Sequence, residues 1–172
     1  EMCIRDRVPM IVCGPAVQDG GREVEALVGA VDLFATVAEL AGVDPDLPFL
    51  RTDSVSFVPY LEAIPTTPIR QTLFAEMFCD WSVNTTGFAT IRNLRYKLIR
   101  FFSNQGSRDE FYDINEDPFE TFDLLALPMM PPVAQANYDA LDAELIALRD
   151  TSGSFTNYGT ANCAGTNGNP TI

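Results

Sequence analysis

Acid–base chemistry near neutral pH usually needs a group that titrates there, and this chain of 172 residues contains no histidine. That removes Ser-His-Asp and Cys-His catalysis, and the commonest zinc ligand with them. The nucleophiles that remain are cysteines and loop serines. Cys3, Cys13, Cys79 and Cys163 lie far apart with no C-x-x-C, so neither a zinc ribbon nor a redox motif is supported. A disulfide between Cys79 and Cys163 and a set of buried or tail thiols are both open. Ser54 and Ser56 have no G-x-S-x-G elbow and no base nearby in sequence, and read as loop hydroxyls. No catalytic residue and no metal ligand is expected in the chain. The residues best suited to recognition are Asp80, Trp81 and Arg92. An aromatic ring beside a carboxylate suits a sugar-binding rim, against the competing reading of a tryptophan that plugs a core.

The elements that would position these groups are most legible in residues 88–125. Residues 88–102 are aromatic and β-branched with a polar break at Asn93, and residues 110–114 follow a loop of small and polar residues. That pattern predicts an antiparallel meander. Leu94, Tyr96 and Leu98 alternate with Arg95 and Lys97, as a half-buried strand requires, and the alternation slips at Ile99, which predicts a bulge or a strand end covered on both faces. Asp117 precedes Pro118, so residues 115–118 should end the last strand in a turn. With residues 70–78, 88–92, 94–102 and 110–114 as strands, a four-stranded antiparallel sheet results. Residues 134–149 form a helix whose stripe of Tyr138, Leu141, Leu145 and Leu148 should cover that sheet.

The part before this sheet reads differently. Residues 8–12, VPMIV, are a continuous apolar run consistent with a buried strand of an α/β sheet. Residues 19–21, DGG, form a turn. A helix is expected from Asp32, as N-cap, to Gly42 as its left-handed terminus, with Leu33, Phe34, Val37, Leu40 and Ala41 on its apolar face. As a cap, Asp32 would contribute about 1 kcal/mol. Residues 45–61 read as a proline-punctuated connection, and residues 63–68 as a boundary. Beyond Asp150 the chain carries no charge and reads as a loosely ordered tail.

Several of these stretches resemble sulfatases. Residues 92–99, RNLRYKLI, resemble that family's R-x-x-R-Y-K-L-I strand, and residues 111–125, FYDINEDPFETFDLL, resemble its Y-D-(L/I)-x-x-D-P-x-E-x-x-(N/D)-L exit. Residues 8–15 are similar to an R-V-P-(L/M)-I-(V/I)-x-G-P-G strand, residues 28–42 to a V-x-x-V-D-L-x-P-T-L-x-x-L-A-G helix with Ala35 at the proline position, and residues 53–61 to D-G-x-S-L-x-P-x-L with Ser54 for the glycine. Cys3 to Arg7 superficially match the family's C-x-P-x-R nucleophile, but Arg5 stands at the proline and the context is wrong. Residues 2–7 instead resemble a translated transposase mosaic end and read as an adapter scar covering residues 1–7.

The resemblance implies an α/β fragment, residues 8–65, ending an alkaline-phosphatase-like domain, then a small α+β subdomain, residues 66–150, and the tail, residues 151–172. It implies hydrolysis of sulfate esters, often of carbohydrates, by a formylglycine and a calcium ion held upstream of this chain, so the chain itself would be inactive. Its partners would be the missing N-terminal catalytic portion of the same polypeptide and a sulfated small molecule or glycan, with periplasmic or extracellular location. The formal charge of −13, with Lys97 the lone lysine, makes nucleic acid and anionic membrane surfaces poor partners. A phosphoesterase or phosphonate hydrolase of the same superfamily and a non-catalytic binding module are the alternatives.

Overall fold

A computed structural model describes residues 9–43, 53–63, 67–78, 87–103 and 106–151. The chain divides into two compact units, Glu1–Leu73 and Phe74–Ile172.

In the second unit the meander forms as the strand pattern requires. Strands β1 (Leu73–Phe78), β2 (Gly87–Arg92), β3 (Tyr96–Ser103) and β4 (Gly106–Asp113) lie in the order β1-β2-β3-β4. Pairing of β2 with β3 and of β3 with β4 is antiparallel, with Ile91 opposite Leu98 and Leu98 opposite Phe111. The register runs unbroken through Ile99, so there is no bulge. The lost alternation has the other cause: Leu98 belongs to one apolar cluster and Ile99 to a second, so both faces of β3 are covered. β3 also begins later than expected. Leu94 is 51% exposed because residues 93–96 form the turn between strands, where the Asn93 Oδ1 accepts from the amides of Arg95 and Tyr96.

Helix α3 (Pro132–Thr151) lies on this sheet. Leu141 and Leu145 are buried with Ala134 among Ala89, Ile91, Tyr96, Leu98 and Phe111, and Tyr138 and Leu148 pack at the margin. The predicted stripe is therefore core. Tyr96 stacks on Phe111 at 5.3 Å between ring centres, and Tyr138 meets Phe111 edge-on.

The first unit departs from expectation in three places. Met10, Ile11 and Val12 are exposed and extended rather than a buried strand. Among the described residues every strand belongs to the meander, so this run has no ladder to join. Helix α1 (Asp32–Leu40) ends as predicted, at Gly42 with φ +72°, where the Val43 amide reaches the Ala38 carbonyl and the Gly42 amide the Glu39 carbonyl. Its orientation is the reverse of the predicted one. Asp32, Ala35 and Thr36 are buried, whereas Leu33, Phe34, Val37 and Leu40 are exposed, Val37 by 62%. The connection at residues 45–61 contains a short helix, α2 (Val58–Glu62), with Pro59 in its first turn. Phe57, Tyr60 and Leu61 form a small core there with Ala16, Val17, Ala26, Val28 and Ile69. The tail, the adapter-like residues 1–7 and the possible pairing of Cys79 with Cys163 lie outside the described residues; Cys13 is exposed and free.

Candidate functional site

The two stretches that carry the motifs, residues 92–99 and 111–125, meet side chain to side chain. Arg95 donates to both carboxylate oxygens of Asp113, at 3.0 and 3.2 Å from its Nε and 2.8 Å from its Nη2. The hydrogen bond to Asp113 and that carboxylate's charge hold the guanidinium above its ordinary pKa. Two residues on, Lys97 lies 4% exposed, against the expectation of an outward polar face. Its Nζ donates at 3.1 Å to each oxygen of Glu120, whose side chain is fully buried. Glu120 can reach it because its backbone is left-handed, φ +55°.

Residues 114–122 are shaped by two carboxylates. Asp113 Oδ1 accepts from the amides of Asn115 and Glu116, starting the turn predicted at residues 115–118. Asp117 Oδ2 then accepts from the amides of Thr121 and Phe122, at 2.6 and 2.7 Å, while Oδ1 takes the Thr121 hydroxyl. Slight burial pushes the Asp117 carboxyl up, but these hydrogen bonds outweigh it and hold the pKa below the ordinary value. Asp123 closes the segment: its Oδ1 accepts from Leu125, capping a 3₁₀ turn (Leu124–Ala126), and from the Phe111 amide of strand β4.

A second polar cluster ties α3 to the sheet. Arg100 pairs with Asp109 across strands β3 and β4 and with Asp142 of α3 at 2.8 Å, and the Tyr138 hydroxyl donates to Asp109 at 2.8 Å. The Asp109 hydrogen bond, against the cost of burial, raises the Arg100 pKa. Burial pushes the Asp109 carboxyl up, yet hydrogen bonds from Arg100 and Tyr138 leave it lowered. Burial first, then the hydrogen bond to Asp109, pushes Tyr138 to about 12. A phenol held protonated in this way is neither a base nor a nucleophile at neutral pH.

In the first unit Asp32 is 1% exposed and is not the N-cap, a position taken by Val31 without a side-chain bond. Its carboxylate instead accepts from the amides of Gly29 (2.7 Å) and Val55 (2.9 Å) and pairs with Arg70. The strand pattern places Arg70 at the start of a strand and does not show this pairing, because no local signal joins residues 38 apart. Ser54 and Ser56 are loop hydroxyls as expected. The Ser54 Oγ accepts from the Ala35 amide near the start of α1, and the Ser56 Oγ from Val58.

Of the rim candidates, Arg92 ends β2, half-buried, with its Nε donating to the Asn93 carbonyl. Asp80 and Trp81 lie outside the described residues. Among the described residues there is no group of three or more His, Cys, Asp or Glu side chains that could hold a metal ion. The described arrangement is thus a set of locks, in which motif residues hold one another.

Comparison with known proteins accounts for those motifs. The family described as N-sulphoglucosamine sulphohydrolase, C-terminal, matches residues 4–150. Among solved structures the chain is similar to a protein assigned as a sulfatase from Bacteroides thetaiotaomicron, at 25% identity and TM-score 0.58, over 80% of this chain and 27% of that one. It is similar also to a 2-O GAG sulfatase, at 26% identity and TM-score 0.56, over 81% and 28% of the two chains. A protein assigned as a sulfatase from Bacteroides fragilis shares the fold at 13% identity and TM-score 0.51, over 70% and 24%. This chain therefore spans little more than a quarter of the length of the first two. No curated protein matches it. With the family matched over most of its residues and both signature stretches locked together, the chain belongs to the sulfatase C-terminal family described as N-sulphoglucosamine sulphohydrolase, C-terminal.

Proposed function

We propose that this chain is the C-terminal part of an enzyme that hydrolyses sulfate esters of carbohydrates, with the formylglycine nucleophile and calcium ion supplied by preceding polypeptide. The observation that carries the reading is the family match over residues 4–150, reinforced by the likeness to a 2-O GAG sulfatase. No step of the reaction is assigned to a described residue here. The chain's contribution is a wall: Arg92, with Asp80 and Trp81, would face a sulfated saccharide, and residues 8–65 would close an alkaline-phosphatase-like α/β domain.

The outward apolar side of α1 supports this partnership. Leu33, Phe34, Val37 and Leu40 fall at helical spacing on one face and are each about half exposed or more, and Met10, Ile11 and Val12 of the same unit are exposed as well. Water is a poor neighbour for such a face, and the remaining polypeptide of the enzyme is the proposed cover.

The test is to recover the source DNA upstream of Val8, express the complete reading frame and assay sulfate release from sulfated saccharides. A C-x-P-x-R or S-x-P-x-R motif and sulfate release are expected. A threonine or unmodified serine nucleophile with metal-binding histidines, and phosphate or phosphonate release, would move the enzyme to the phosphoesterases. A start at Met2 with nothing before it would leave a binding module.

A further inference from the structure

The loop of residues 117–122 shows two aromatic rings to solvent: Phe119 is 70% exposed and Phe122 53%. A single exposed apolar side chain is ordinary on a protein surface, but here the backbone that carries both rings is fixed by the loop's own polar groups. Asp117 accepts from the amides of Thr121 and Phe122 and from the Thr121 hydroxyl, and the Glu120 amide donates to the Asp117 carbonyl at 3.1 Å. Glu120, between the rings, is buried with φ +55°. The fold therefore holds the rings outward and already ordered, and an ordered ring loses little further freedom when a partner covers it. Aromatic side chains presented in this way are frequent anchors of protein interfaces.

Charge narrows the choice of partner. The Glu116 side chain is 79% exposed, Arg95 near it is engaged by Asp113, and Asp117 is met by amides and a hydroxyl, so the surroundings of the rings are negative. A sulfated saccharide or an anionic membrane would meet like charge there, and two copies joined about a two-fold axis would set one acidic rim against the other. Length points to a different partner. The chain matches two sulfatases over 80% and 81% of itself but 27% and 28% of them, so most of the surface that could cover the rings belongs to the rest of such an enzyme. We propose that Phe119 and Phe122 dock the second unit onto the preceding catalytic polypeptide, seated in an apolar recess with basic residues at its edge. The inference rests on the proposed function for the existence of that polypeptide, and it adds a contact separate from the outward face of α1.

The test uses the complete reading frame with the photoreactive analogue p-benzoylphenylalanine in place of Phe119 and, in a second protein, of Phe122. Irradiation in the presence of a sulfated oligosaccharide should join each ring to a peptide of the preceding polypeptide, in a product that still migrates as one chain under denaturing conditions. The double variant Phe119→Ser/Phe122→Ser should lower the Tm of the complete enzyme by roughly 5 °C or more, and should shift the 172-residue chain alone by less than about 1 °C, because only the complete enzyme buries the rings. A cross-link to a second copy or to the oligosaccharide, rings that react with no peptide, or equal Tm shifts in the two chains would overturn the proposal. So would a reading frame that starts at Met2 with nothing before it. Sulfate release is scored separately. A complete enzyme that cross-links as expected but releases phosphate refutes the proposed reaction and keeps the docking surface, whereas one that releases sulfate with its rings unreacted keeps the reaction and refutes the surface.

Discussion

Helices α1 and α3 carry comparable apolar stripes and use them in opposite ways. In α3 the stripe of Leu141 and Leu145 is buried against three strands, and polar residues flank it. In α1 the apolar stripe faces out and the buried positions are Asp32, Ala35 and Thr36. The buried side of α1 is therefore held by hydrogen bonds: the Thr36 hydroxyl donates to the Asp32 carbonyl and accepts from the Phe57 amide, and Ser54 takes the Ala35 amide. The second unit is held by an apolar core that polar locks adjust, and the first by a smaller apolar cluster around Phe57, Tyr60 and Leu61 together with polar ties around one carboxylate. On the proposed reading, the outward apolar face of α1 is the one that the remaining polypeptide of the enzyme would cover.

The contrast can be broken most directly at its polar end. Asp32→Ala would leave the Arg70 guanidinium, 17% exposed, without its carboxylate and would orphan the Gly29 and Val55 amides. Loss of one partner of a buried pair should cost about 3–5 kcal/mol, well above the value for a simple cap. Thermal unfolding, with amide exchange at Gly29 and Val55, measures it; a loss near 1 kcal/mol would restore the cap reading. At the apolar end, Leu145→Ala, at a fully buried position, should cost about 2–5 kcal/mol. Val37→Ala, the matching change on α1, should stay within about 0.5 kcal/mol in this chain. Equal costs at the two positions, by chemical denaturation, would show that the α1 face is covered after all. Between these lies Asp123, which serves a 3₁₀ turn and the edge of β4 at once. Asp123→Ala should cost about 1–2 kcal/mol and selectively speed exchange at the Phe111 amide.

What could be read from the sequence follows the same division. The meander and α3 were legible because each makes a periodic pattern that its own neighbours in sequence satisfy: strands at short spacing, Asn93 and Asp117 at the turns, and a helical stripe with a sheet to cover. Even there Lys97 was misplaced, because alternation predicts a face and says nothing of Glu120, 23 residues away, arriving to neutralise it. In the first unit periodicity located α1 and its Gly42 terminus but not its orientation. An apolar stripe indicates that a face wants burial without saying that this chain supplies the cover, and a buried Asp32 looks in sequence like any other cap. The short α2 was hidden by the prolines that flank and enter it. The motif residues were recognised as a signature, yet their work, Arg95 on Asp113 and Lys97 on Glu120, could be seen only once the strands were in register.

The smallest expected effect tests the polar lock on α3. The Tyr138 hydroxyl is desolvated and donates to Asp109, which pushes its pKa from 10.0 up to about 12. A raised pKa means that the folded protein holds this proton more tightly than the unfolded chain, so the contribution is complete below pH 10 and is lost as pH rises from about 10 to about 12. Because Tyr138 is only half-buried, solvent screening reduces the effect to the order of 1 kcal/mol. Asp109 has the opposite dependence: its lowered pKa makes its contribution complete above the ordinary carboxylate range and lost as pH falls through it. Tyr138→Phe should remove the alkaline part and weaken the acid one, because it also takes away one of the two hydrogen bonds that lower Asp109. Stability of the two proteins, compared by denaturant unfolding from pH 7 to pH 12, should differ at neutral pH and converge toward pH 12. A constant difference across the alkaline range would mean that the hydroxyl acts by packing, and that α3 is placed by shape alone at that point.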